Sequence, residues 1–448
     1  MTPLNPHSLL KQAQTAIAQS NWTSSIDSLQ DVVWQQSSAT SAAVDLVLNE
    51  VLSLALTILE SGDFQSRWDV AKLFPGLGNR AIAPLISRLQ DDTAELEVRW
   101  FAARILGEFR HPDVITTLVQ TLQTCKNEEL SGIIAVALSS IGAEAAQNGS
   151  PAEVIAALTD LFNAPQTRRW AVQILSRMPH SESVPLLLQA ADDPQANIRA
   201  IAIDALTNFH DPRILDVFMR ATADPVATVR VAAVTGLGLR ADALPETDLV
   251  GTIQPLLFDL NAQVCEQAAI ALGHLGTEAA VDALADVLQS PHTPDPLRLT
   301  LLQTLGWMET SRAIAAVQQF LRHQTASSSA QSIIQASLQA LTQVSSPALK
   351  HQIAQFLIEL LQSRHPVTQT EANRQLLAVG LGQLGEPTAL EPLIQLLADP
   401  DMGVQLHAIA ALKHLDSQTA HYRLMELSQT QNLKADLSRG LAIALREW

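Results

Sequence analysis

Residues 229–238 read Val229-Arg-Val-Ala-Ala-Val-Thr-Gly-Leu-Gly238: a β-branched residue, an arginine, a run of small residues and a closing Leu-Gly. The phrase returns as Val98-Arg-Trp-Phe-Ala-Ala-Arg-Ile-Leu-Gly107, Ile198-Arg-Ala-Ile-Ala-Ile-Asp-Ala-Leu206 and Val264-Cys-Glu-Gln-Ala-Ala-Ile-Ala-Leu-Gly273. Two more copies are Leu297-Arg-Leu-Thr-Leu-Leu-Gln-Thr-Leu-Gly306 and Val404-Gln-Leu-His-Ala-Ile-Ala-Ala-Leu412. Arg99 and Arg199 are 100 residues apart, three units, and the steps to Arg230, Cys265 and Arg298 are 31, 35 and 33. A unit of about 33 residues repeated along a chain is the signature of stacked supersecondary units.

Each phrase comes after a segment with apolar residues at helical spacing, such as Ala81-Ile-Ala-Pro-Leu-Ile-Ser-Arg-Leu-Gln90, Asp113–Leu122 and Thr388–Leu397. The unit is therefore a helical hairpin. Asp193-Pro194, Asp224-Pro225 and Asp399-Pro400 fall between its two helices, where proline stops the first helix and aspartate can cap the second. Arg110-His-Pro-Asp113 and Gly385-Glu-Pro387 separate one unit from the next. The pattern predicts an all-α fold, a right-handed α-solenoid of about eleven hairpins over 61–448, eroded in the Ser/Gln-rich stretch Ser327–Ser346. Residues 1–60 lack the phrase and are expected to form a helical cap, since a stack needs a polar end.

Composition agrees. The 448 residues are 47% hydrophobic but only 4% aromatic, with a single tyrosine, so the core must be filled by Leu, Ala, Val and Ile, which suits packed helices. Lys and Arg number 28 against 45 Asp and Glu, a net charge of −17 that argues against a nucleic-acid partner, whose binding rests on clustered positive charge. The start of the chain has no basic segment leading into an apolar one, and no long unbroken apolar run stands out, so no membrane span and a cytoplasmic location are expected. Cys125 and Cys265 are the only cysteines and do not suggest a disulfide framework or a cysteine-based metal site.

The Val-Arg-x-x-Ala-Ala-x-Ala-Leu-Gly phrase resembles that of the HEAT-repeat family, in the short bacterial variety called phycobilisome-lyase-type, and the resemblance covers nearly the whole chain. It implies a cyanobacterial-like scaffold on which a partner protein docks. In such units Asp193 and Arg199, and Asp224 and Arg230, occupy the positions of side-chain ladders between neighbouring units. Cys265 and Gln405 stand where the arginine would be, so the ladder should be broken and the stack locally soft there.

Other motifs dissolve into the repeat. Gly380-Leu-Gly-Gln-Leu-Gly385 has the letters of a dinucleotide fingerprint, but it closes a helical segment where the fingerprint needs a strand before it. His407, His414 and His421 are spaced by seven, but Asp416-Ser417 is expected to break the helix between the last two, and no metal site is assigned. No Gly-x-Ser-x-Gly elbow occurs and neither cysteine has an adjacent histidine, so no catalytic residue is assigned.

One local departure stands out. Aligning Arg67-Trp-Asp-Val-Ala-Lys72 with Arg99-Trp-Phe-Ala-Ala-Arg104 puts Trp68 over Trp100 and Lys72 over Arg104. Later copies have Ala200/Asp204, Val231/Thr235 and Leu299/Gln303 there. The buried stripe runs through Val98, Ala102 and Ile105, so Trp100 and Arg104, four apart, face another side, which in a HEAT unit lines the concave surface. Two readings remain open: packing of the tryptophans against the N-terminal cap, or a recognition patch for an acidic segment or an anionic ring system. Trp170, after Arg168-Arg169, reads as core.

The expected function is a non-enzymatic protein-binding scaffold or assembly factor with no cofactor of its own, and the resemblance points to the phycobilisome antenna as its setting. The resemblance also implies an alternative, an E/F-type phycobilin lyase that attaches or removes an open-chain tetrapyrrole such as phycocyanobilin at a cysteine of a phycobiliprotein. Arg99–Arg104 resembles the Arg-aromatic-aromatic-Ala-Ala segment of that family's E subunits.

Overall fold

The computed structural model describes residues 5–36, 42–149, 151–240, 249–325, 331–430 and 433–448, and every regular element among them is helical. The chain divides into two compact units, Met1–Val217 and Phe218–Trp448, the division falling inside the helix Arg213–Ala221. Each unit is a stack of helical hairpins, an all-α solenoid.

In the first unit the hairpin Pro6–Ala18/Trp22–Gln36 comes first, followed by Ala42–Ser61/Phe64–Ala71 and Ile82–Gln90/Leu96–Leu106. Then come Pro112–Thr124/Glu128–Gln147, Ala152–Asn163/Arg168–Ser176 and Val184–Ala190/Ala196–Leu206. The segment expected as a cap thus holds one hairpin of its own plus most of Ala42–Ser61, which runs across residue 60 and packs on Phe64–Ala71 as the first helix of the next hairpin. In the second unit Ala227–Gly238 packs on Ala262–Leu275, followed by Glu278–Gln289/Asp295–Trp307 and Ser311–Arg322/Gln331–Thr342. Pro347–Gln362/Glu371–Leu384, Leu390–Leu396/Met402–Ser428 and the last helix, Ala435–Glu447, complete it. The Ser/Gln-rich stretch keeps its helix, Gln331–Thr342, because Ile333, Ile334, Leu338 and Leu341 preserve the buried stripe; 327–330 lie outside the described residues.

Local chemistry sets the ends. Asp63, Asn127, Asn261, Thr277, Thr310, Thr370 and Asp401 each accept a backbone N–H of the first turn of the helix they precede. Gly276 and Gly385 close their helices in the left-handed conformation at φ 64° and 71°. At Asp416 the backbone leaves the helix (φ −163°, ψ 97°), and its carboxylate caps Gln418 and Thr419, so the break separates His414 from His421.

The Leu-Gly ending has a packing cause. A methyl group added to Gly107, Gly238 or Gly306 would lie 2.9 Å from Ala137, Ala271 or Ala340, each on the second helix of the next hairpin. At Gly382 the same approach is to Ala411, at 2.8 Å. Second helices therefore touch backbone to backbone, as only glycine against alanine allows. This places Gly380 and Gly382 inside a helix against Thr342 and Ala411, with no phosphate-binding turn.

Among the described residues one helix, Glu128–Gln147, is long and apolar enough to cross a membrane by length and composition, against the expectation of no such segment; 61% of its apolar window is buried inside the structure, as in a core helix.

Candidate functional site

The arginine of the repeat phrase begins the second helix and reaches back to the end of the first. Arg168 Nε, Arg199 Nη1, Arg230 Nη1 and Arg374 Nη1 donate to the carbonyls of Phe162, Asp193, Asp224 and Thr368, six residues earlier, at 2.8, 2.7, 2.7 and 3.1 Å. They satisfy backbone acceptors that a helix end leaves open. The side-chain partner lies one hairpin further on: Arg168 meets Asp193 at 3.0 Å, Arg230 grips both oxygens of Asp259 at 2.7 Å, and Arg374 pairs with Asp399 at 2.6 Å. Each of these aspartates also accepts the N–H two residues on, that of Gln195, Asn261 or Asp401, so one carboxylate shapes a turn and ties two hairpins together. Arg230 holds the Asp259 carboxyl below the usual range, the hydrogen bond being the main cause.

Asp193 and Arg199 thus meet through a backbone carbonyl, and so do Asp224 and Arg230, while the charge pairing skips ahead. At the two positions expected to break the ladder the backbone contact survives. Cys265 Sγ donates to Asp259 O at 3.1 Å and Gln405 Nε2 to Asp399 O at 2.7 Å, so only the charged half of the rung is missing.

The second helices Phe64–Ala71 and Leu96–Leu106 carry the local departure. Val98, Ala102 and Ile105 are buried, as are Phe101, Ala103 and Leu106. Trp68 and Trp100 are half-buried, Arg104 is half-buried and Lys72 is exposed. The Arg104 guanidinium lies 4.0 Å from the centre of the Trp68 ring, joining neighbouring hairpins by a cation–π contact. Trp100 packs edge-on against Phe101 at 5.1 Å. Lys72 turns to its own helix and pairs with Asp69 at 2.8 Å, holding that carboxyl below the usual range. Three of the four patch residues therefore form the aromatic and cationic surface, and Lys72 lies at its edge with its charge already answered.

Phe64 belongs to the same surface, although the alignment of repeat phrases does not reach it. It stacks on Trp68 at 6.2 Å, touches Phe101 at 5.5 Å and remains 55% exposed. Leu96, its counterpart on the next hairpin, is also an exposed large apolar residue. Phe64, Trp68, Lys72 and Leu96, Trp100, Arg104 are two parallel stripes at four-residue spacing. The signal was in the sequence: Phe64 precedes Trp68 by the four residues that separate Leu96 from Trp100. Trp170, expected in the core, is half-buried under Arg169, whose guanidinium sits 4.4 Å from its ring while pairing with Glu128. The edge of the Trp170 ring lies beside Gly132 of the neighbouring second helix, where the absence of a side chain leaves room for it.

Among the described residues no group of His, Cys, Asp and Glu could hold a metal ion. His407 and His414 bond to the carbonyls of Gly403 and Gly382, and His421 lies tilted against Trp448 with ring centres 5.8 Å apart.

Known proteins repeat this architecture. The karyopherin Kap121p, in a structure bound to the extreme C-terminus of the protein phosphatase Cdc14p, superposes over 100% of this chain with a TM-score of 0.56 and 13% identity. Importin beta superposes over 96% with a TM-score of 0.51 and 13% identity. The chain spans 59% of the Kap121p chain and 64% of importin beta, and at this identity the likeness is one of fold. No curated relative matches in sequence. The family model of HEAT repeats matches residues 52–139, 82–167, 153–238, 220–306, 251–340 and 354–446. With hairpins, glycine–alanine contacts and family match all in one register, the chain belongs to the HEAT-repeat family.

Proposed function

We propose that this protein is a non-enzymatic scaffold that docks a partner protein on the second helices of its first unit, at Phe64, Trp68, Leu96, Trp100 and Arg104. The observation that carries the reading is the state of Arg104. The arginines near it are tied to carboxylates, Arg67 to Glu95 and Glu97, Arg88 to Glu60 and Arg99 to Asp92, whereas Arg104 sits over an indole with no carboxylate partner among the described residues. A guanidinium held in place by an aromatic face keeps its planar donor edge for an incoming acceptor, and Trp with Arg is the usual composition of a binding hot spot. The structural likeness to a karyopherin seen with a partner's terminal segment supports a protein partner. The free thiols of Cys125 and Cys265 fit a cytoplasmic setting.

The test is affinity isolation of the tagged full chain from its native cells beside a Leu96→Gln/Trp100→Gln/Arg104→Gln variant. A stoichiometric partner held by the parent and lost from the variant, with the melting curve unchanged, supports the reading. Equal recovery contradicts it, and a large melting loss makes the tryptophans packing residues.

The finer reading is service to the phycobilisome antenna, as assembly factor or as lyase. Arg104 against Trp68 favours it, since a guanidinium beside an indole suits a propionate and a pyrrole face. Catalysis of bilin transfer by positioning alone needs no nucleophile on this chain. Titration with phycocyanobilin should quench tryptophan fluorescence saturably, and the triple variant should abolish the effect; no quenching removes the bilin reading and leaves the scaffold.

A further inference from the structure

The second unit holds a hollow of about 330 Å³ between the turn Phe258–Ala262 and the segment Ser290–Leu297, floored by Leu257, Val287, Leu297 and Cys265. Its apolar lips are conspicuous: Phe258 is 69% exposed and Leu260 fully exposed. The repeat itself serves as the control. Where Phe258 stands, the aligned turns have Asp192, Ala223 and Ala398; where Leu260 stands, they have Pro194, Pro225 and Pro400; where Cys265 stands, they have Arg199, Arg230 and, in the last hairpin, Gln405. Three departures from one pattern converge on one hollow.

The departures set the chemistry of its lining. At the preceding hairpin the long arginine crosses the turn on its way to Asp259, and at Arg374 a hollow of about 610 Å³ opens at the equivalent place with Arg364, Gln369 and Arg374 in its lining. At Cys265 the short thiol keeps only the contact to the Asp259 carbonyl, so the hollow here has an apolar floor and no arginine in it. The turn itself does not call for Phe and Leu at the rim, because the three Asp-Pro turns hold with aspartate or alanine, and proline, in those places. Exposing two large apolar side chains beside an apolar floor costs solubility and gains binding area. Its lining has no lysine or arginine, and since Arg230 already holds both oxygens of Asp259, Glu266 is the carboxylate there with no cation beside it among the described residues.

We infer that this hollow is a second docking socket, which takes a large apolar side chain of a partner segment that carries lysine or arginine beside it. The apolar residue sits on Leu257, Val287 and Leu297 between Phe258 and Leu260, and the flanking cation meets Glu266. The inference goes beyond the patch of the first unit and stands on different residues, so failure of either leaves the other untouched.

The full chain with Cys125→Ser has Cys265 as its sole thiol, and its reaction with a chromogenic aryl disulfide reports occupancy of the hollow. The probes are the peptides Lys-Phe-Lys-Leu-Lys and Glu-Phe-Glu-Leu-Glu. The expected result is saturable slowing by the basic peptide, at least about tenfold at concentrations on the order of 1 mM, with little effect of the acidic one. Phe258→Ala with Leu260→Pro restores residues that neighbouring turns already use and so should fold. Fluorescence anisotropy of the labelled basic peptide should show binding lost in that variant. No slowing, equal slowing by both peptides, slowing that grows with protein concentration alone, or undiminished binding to the restored variant would each overturn the proposal.

Discussion

The second helices Leu96–Leu106 and Gln331–Thr342 occupy the same place in their hairpins and present different surfaces. Inward they agree: Val98, Ala102, Ala103, Ile105 and Leu106 correspond to Ile333, Ser337, Leu338, Ala340 and Leu341, and all ten are buried. Outward, Leu96, Trp100 and Arg104 correspond to Gln331, Gln335 and Gln339. The fold is written in one set of positions and the recognition surface in another. A repeat protein is useful for separating the two, because each hairpin is a reference for the next.

The sharpest break of that comparison lies between two adjacent residues. Phe101→Ala should cost about 3–5 kcal/mol, since Phe101 is fully buried and its loss leaves a cavity. Its neighbour Trp100→Ala should cost much less while weakening partner capture. Thermal melting of the two variants checks this, and equal losses would make Trp100 a core residue.

A smaller effect is expected at the ladder. Arg230→Ala removes two charge-assisted bonds to Asp259 and one to the Asp224 carbonyl, and should cost about 1–3 kcal/mol. Cys265→Ala removes one weak thiol bond and should cost less. Denaturant titrations of the two variants set the order, and a larger loss at Cys265 would contradict the account of the rungs.

The Arg230–Asp259 pair also has a pH signature. The Asp259 carboxyl is held below its ordinary value chiefly by Arg230, so the folded state binds that proton less readily than the unfolded chain. The stabilisation is present in full above the unfolded carboxylate pKa, about 3.9, and is lost as the pH falls through the lower folded value. Asp259→Asn should flatten the melting temperature in that acid window and leave the neutral slope alone; an unchanged acid slope would assign the dependence to other carboxylates.

Much of this was legible in the sequence. The Leu-Gly ending, the Asp-Pro turns and the break at Asp416 each follow from one residue's local conformational demand, which a sequence displays directly. The carbonyl six residues before each arginine was not legible, because its partner is a backbone atom whose exposure depends on where the first helix stops. Phe64 was missed for a related reason: it lies ahead of the repeat phrase, so alignment on Arg67 left it out. The hollow at Cys265 was half visible. The missing arginine could be read, but Phe258 and Leu260 became meaningful only once the turn brought them to the same opening.

The smallest expected effect on stability comes from exchanging surfaces. Replacing Leu96, Trp100 and Arg104 by glutamine, or placing Trp and Arg at 335 and 339 while Gln331 keeps its bond to the buried Asn373 side chain, should shift stability by about 0.5 kcal/mol, as for surface substitutions in general. Circular dichroism and melting would report a fold that does not depend on which surface it carries.

The most direct measurement is photo-crosslinking of the full chain in its native cells, with a benzophenone side chain at position 100 in one protein and at position 335 in another. A discrete adduct from position 100, lost with Arg104→Glu and absent from position 335, is the predicted result. Matching adducts from both positions, or an adduct at 100 that survives Arg104→Glu, would contradict the claim that the aromatic stripes hold the partner.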